Sequence, residues 1–150
     1  MSNEITLRPP FKGMTHKEMA NLCDDKILFK EYWNFEDVWN LRKKYARRVI
    51  VSKQKNFFDY LVENAILSLS ISQTADIIII DNLTEELATG SHVITEGIVP
   101  LYLASFAWKV TEVPIEIPKE DLELIGDKQL SLKQIYKYAK QDRSYFVSKG

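Results

Sequence analysis

The chain has 150 residues, 45% of them hydrophobic and 27% charged, with five glycines, five prolines and a formal net charge of −1. That length and composition suit one domain with its own core and exclude disordered, collagen-like and low-complexity classes. A single cysteine, Cys23, excludes an internal disulfide framework and a cysteine-based zinc site.

The near-zero net charge hides a segregated one. Residues 1–37 sum to −2, 38–75 to +5, 76–127 to −9 and 128–150 to +5. Basic and acidic faces are therefore expected, and such faces govern partner choice rather than fold. Residues 1–14 read as an extended arm around Pro9-Pro10, with no apolar stretch of the kind a secretory leader needs. The longest apolar runs, 77–80 and 98–110, fall short of the ~20 residues that span a bilayer. A cytoplasmic protein with no membrane partner is expected.

In chain order, Thr15 and Glu18 have capping-box spacing and predict a short helix from 15 toward 24 that takes in Cys23. Asn34 as N-cap, with Glu36 and Asp37 in the first turn, predicts a helix over 35–51. Phe35, Val38, Trp39, Tyr45, Ala46, Val49 and Ile50 fall on one face, and Lys43, Lys44, Arg47 and Arg48 on the other. Arg42 lies inside the apolar face, where a charge must snorkel, pair with an acid or serve a partner. A second helix is expected over about 56–65. The alternation Leu67-Ser68-Leu69-Ser70-Ile71-Ser72 then predicts a strand over 67–72. Four isoleucines at 77–80 predict a strand covered on both faces.

Residues 82–89 suggest a short helix stopped by Gly90, followed by a polar loop around His92. The block 98–117 reads as a long bent strand or hairpin, with a buried helix over 101–109 as the alternative. It also offers a seam for a homodimer. A short helix over 119–125 precedes Gly126, and Ser131 caps a last helix over 131–141. The fold expected is one α+β domain. Its helices 35–51, ~56–65 and 131–141 pack on a small mixed or antiparallel sheet built from ~67–72, 77–80 and 98–117.

Chemistry is sparse. His16 and His92 have no second ligand at metal spacing, the serines lack an elbow context, and no glycine-rich phosphate loop exists. No cofactor, no metal and no catalytic residues are expected. Asp76 and Asp81 flank the isoleucines as strand-end acids, which turn formation explains as well as metal binding does. Two surfaces remain. An acidic one, Asp81, Glu85, Glu86 and Glu96, would suit docking to a basic protein, in the manner of small inhibitors, immunity proteins, antitoxins or phage accessory adaptors. A basic one, Trp39, Arg42, Lys43, Lys44, Arg47 and Arg48, would suit a protein or nucleic acid. Non-enzymatic protein binding is the leading expectation and nucleic-acid binding by the basic segment 42–55 the alternative. A small hydrolase or nuclease using His92 with Glu96 or Asp81 is the third.

Overall fold

A computed structural model describes residues 15–21, 35–69, 75–126 and 128–146. The expected arm 1–14, Cys23, the Asn34 cap and residues 70–72 of the alternating segment lie outside them. The elements are α1 (His16–Ala20), α2 (Phe35–Tyr45), β1 (Arg48–Val51), α3 (Phe57–Glu63), β2 (Ile77–Ile80), α4 (Glu85–Ala88), β3 (His92–Thr95), α5 (Leu101–Ala104), β4 (Lys109–Glu112), α6 (Lys119–Ile125), α7 (Leu132–Tyr138) and β5 (Arg143–Tyr145).

The five strands form one mixed sheet in the order β2-β1-β3-β4-β5. β1 through β4 run parallel and only β5 is antiparallel, against β4. The chain is an α+β domain, and helices cover both faces of its sheet. Alternation along the strands sends Ile50 and Ile94 to one face, where they pack with Phe57 and Leu61 of α3 and with Leu67. Val93 and Val110 point to the other, against Ala88 of α4, Leu103 and Ala104 of α5, and Ala107.

Several expected elements are corrected. The helix predicted over 35–51 ends at Tyr45, and its last four residues are the central strand β1. Val49 and Ile50 are both fully buried because each faces a different layer, which mimics the wide apolar face of a helix. The strand expected to begin at Leu67 is absent over 67–69. Instead the chain leaves α3 through Ala65, which adopts a left-handed φ of 56°, and the amides of Ile66 and Leu67 both bond the Leu61 carbonyl. That turn drops Leu67 into the core as a plug beneath α3. The isoleucine strand exists, but it is an edge strand, and Ile79 is 58% exposed rather than covered. The loop expected around His92 is the inner strand β3. Block 98–117 is neither a long strand nor a hairpin: α5 and β4 divide it.

Thr15 and Ser131 cap helices where the sequence places them, whereas the helix expected over 82–89 starts only at Glu85. Thr15 with Glu18, and Ser131 with Gln134, form reciprocal capping boxes, and Thr84 caps α4. A buried carboxylate closes the far edge of the sheet. Glu112 at the end of β4 accepts from the Val99 amide (3.0 Å), the Tyr145 hydroxyl (3.2 Å) and Arg143 Nε (2.8 Å). Burial and this carboxylate push the Tyr145 phenol above its ordinary pKa, so it remains a donor.

Candidate functional site

Three polar residues open three adjacent parallel strands. Arg48 of β1 is paired in register with His92 of β3, and His92 with Lys109 of β4. Strand spacing is about 4.8 Å, so their side chains form a row across one face at the amino edge of the sheet. Parallel strands made of branched apolar residues would ordinarily bury such positions under hydrocarbon. Here the row borders a cavity of 170 Å³ instead.

α2 supplies the opposite wall of that cavity with Arg42, Lys43 and Ala46; Ala65, Ile66, Leu67 and Ser68 supply another, and Ile94 and Trp108 complete it. The lining thus holds four cations, Arg42, Lys43, Arg48 and Lys109, and no carboxylate among the described residues. Arg48 is only 8% exposed. It donates to the Ser68 and Ala75 carbonyls, while its Nε finds no hydrogen-bond partner among the described residues. Carbonyl dipoles answer part of its charge and no described acid pairs with it; Asp76, just before β2, is taken by Lys17 at 2.8 Å. Burial accordingly pulls the Arg48 pKa below its ordinary value.

His92 is the second unusual group. Its burial, then Lys109, then Arg48 pull its pKa down to about 3, so the imidazole is neutral at physiological pH. Its Nε2 shares a hydrogen bond with the Thr111 hydroxyl (2.7 Å), which is linked to Ser144 Oγ of β5 (2.8 Å). Next to the cavity sits an aromatic cluster. Trp39 and Trp108 meet edge to face at 5.6 Å, and Phe146 packs on both at 5.3 and 5.9 Å. Lys109 Nζ lies 6.0 Å from the Phe146 ring centroid.

The sequence-derived basic set is split by the fold. Arg42, Lys43 and Arg48 converge on the cavity and Trp39 stands beside it. Lys44 lies over the Tyr45 ring at 5.2 Å. Arg47 does structural work: its guanidinium donates to Ser91 Oγ (3.1 Å) and to the carbonyls of Glu86, Leu87 and Thr89, tying the end of α4 to the sheet.

The acidic set lies elsewhere. Asp81 and Glu96 follow β2 and β3 at the carboxyl edge, and Glu85 and Glu86 form the first turn of α4. Four residues of strand, about 13 Å, separate His92 from Glu96. The two therefore cannot form the acid–base pair considered from sequence, and Asp81 is at the wrong end for the same reason. Lys109 and Trp108 were not candidates from sequence at all. The signal they carry is a lysine at the head of a buried strand, legible only once its neighbours also begin with Arg and His.

Open α/β sheets commonly bind ligands at the carboxyl ends of the strands where the strand order reverses, here between β1 and β3. Hydrogen bonds tie the loops together at that edge. Ser52 Oγ donates to Glu96 at 2.7 Å, and Gln129 and Leu130 are pinned to the 53–56 loop by Lys55 N to Gln129 (2.9 Å), Gln129 to Lys53 O (2.7 Å) and Leu130 N to Gln54 (2.7 Å). The open, charged cavity is at the opposite end. Among the described residues no three His, Cys, Asp or Glu side chains cluster as metal ligands, and no helix is long and apolar enough to cross a membrane. No protein-family model, curated protein or solved structure matches the chain.

Proposed function

We propose that this protein binds a phosphate-bearing ligand in the cationic cavity at the amino edge of its sheet. The observation that carries the reading is Arg48, a buried guanidinium that no carboxylate among the described residues neutralises, bordering a cavity that Lys43 and Lys109 also line. Burying a charge without a counter-charge is costly, and a buried one is ordinarily paired. An anion seated among Lys43, Arg48 and Lys109 would supply a counter-charge to Arg48. A neutral His92 beside them can offer a hydrogen bond without adding to their repulsion.

The test is thermal unfolding in inorganic phosphate against chloride at matched ionic strength. Phosphate at about 100 times its dissociation constant adds roughly 2.7 kcal/mol, which is several degrees for a chain of this size. Lys43→Met and Lys109→Met should each shrink that rise, and Lys44→Met should leave it intact. Equal melting temperatures in the two salts would refute the reading.

A second reading, docking of a basic protein to the carboxyl edge, is supported by a separate observation. Ile98, Leu101 and Tyr102, which follow Glu96 in the chain, are 74%, 74% and 62% exposed. Solvent-facing apolar residues that follow Glu96 so closely in the chain have the character of an interface core with an acidic rim. Native mass spectrometry of the protein isolated from its host at low salt should then show a stoichiometric basic partner. A Glu96→Lys/Leu101→Asp variant should lose it while keeping the phosphate response. A partner that survives both changes would remove this reading.

A further inference from the structure

From the same cavity, and resting on the phosphate reading, we infer that the ligand is a terminal phosphomonoester of single-stranded nucleic acid, its end phosphate in the cavity and its first base against the aromatic cluster. Three features of the site converge on this chemistry.

The first is size. At 170 Å³ the cavity is smaller than the roughly 300–1,000 Å³ that encloses a drug-sized ligand. It takes one phosphate group with some water and leaves the remainder of the ligand outside.

The second is charge. Lys43, Arg48 and Lys109 line the space, and no acid does among the described residues. Such a field favours the doubly charged terminal monoester over the singly charged diester of a chain interior.

The third is what stands at the cavity's side. Trp108 both lines the cavity and packs on Trp39 and Phe146, and Phe146 is 49% exposed. A planar base adjoining the seated phosphate meets an aromatic surface, and such stacking contributes about 1–3 kcal/mol per base without sequence preference. On the α2 side, Lys43 lines the cavity and is exposed, within reach of a backbone phosphate beside the seated one.

The experiment measures fluorescence anisotropy with labelled twelve-nucleotide single strands of DNA and of RNA, ending in a 5′-phosphate, a 3′-phosphate or hydroxyls only. Adenosine monophosphate and inorganic phosphate serve as competitors. One of the two phosphorylated ends should bind at least ten-fold tighter than the hydroxyl strand, which also fixes the polarity. Phe146→Ala should weaken that strand several-fold and leave the melting rise in inorganic phosphate unchanged. Lys43→Met, an exposed change that the fold tolerates, should weaken both. Equal affinity for phosphorylated and hydroxyl ends would overturn the inference while leaving the phosphate reading standing. Adenosine monophosphate binding as tightly as the strand would overturn it in favour of a free nucleotide. Loss of the phosphate melting response itself would remove both.

Discussion

Gly90→Ala is expected to destabilise the domain by about 2–5 kcal/mol, the sum of a left-handed backbone forced on an L-residue and an overlap that only a backbone shift can relieve. Gly90 has a φ of +68°, and a Cβ built on it would lie 2.3 Å from the carbonyl carbon and oxygen of Asn21. Asn21 has little freedom to retreat. Its side-chain oxygen accepts from the Arg47 amide at 2.9 Å, and its side-chain amide donates to the Lys17 carbonyl at 2.8 Å. Pushing it away would loosen the tie between α1 and the start of β1 and disturb Arg47, whose guanidinium holds the end of α4. Urea denaturation is the measurement. Gly97→Ala is the control, because a Cβ there meets nothing within 4 Å. If the two variants lost equal stability, the close approach of Gly90 to Asn21 would not be what constrains this position.

The second large effect is one of pH. His92 has a folded pKa near 3 against an ordinary value of 6.5, so between those limits the unfolded chain binds a proton that the folded chain refuses. Stability from this group is therefore full above pH 6.5, falls as the pH drops through that window, and is exhausted near pH 3. At about 1.4 kcal/mol per pKa unit, the loss at the acid end is on the order of 3–5 kcal/mol. Denaturation across pH 7 to 4 should show His92→Gln with a shallower decline than the wild type. Sulfate, whose charge is constant over this range, should also flatten the wild-type decline, since an anion beside Arg48 and Lys109 favours the imidazolium. Superimposable pH profiles of the two proteins would show that His92 is not held neutral.

What the sequence discloses and what it hides follow from how far apart the causes lie. Caps are local, so Thr15 and Ser131 announce the starts of their helices with no knowledge of the rest of the chain. The parallel sheet is not local. β1 and β3 are four-residue strands whose two faces are buried by different layers, and neither shows a period of two. Val49 and Ile50 therefore pass for the apolar face of a helix, and His92 passes for a loop residue between two glycines. The cavity suffers more from this than the fold. Its row joins Arg48, His92 and Lys109, which only register brings together. Residues on α2 were visible as a basic set because they are neighbours in sequence, but the same proximity swept in Arg47, whose bonds are structural. Segregation of charge was real in the sequence, and the sheet converts it into a direction: the cationic cavity lies at the strands' amino ends, Asp81 and Glu96 at their carboxyl ends.

The antiparallel strand at the far edge has a consequence for biosynthesis. Glu112 is made when β4 is made, but Arg143, its cation, is 31 residues further on. Throughout that interval the nascent chain carries a carboxylate in the place where the finished domain is nearly dry, with the hydrogen-bonding edge of β4 open beside it. A parallel sheet can assemble from β1 to β4 in that time, although non-local pairing of this kind is slow. It cannot close. β5 therefore acts as a latch set only after β1 to β4 have been made, and a chain lacking it presents an unsealed edge, the form that quality-control proteases and chaperones recognise.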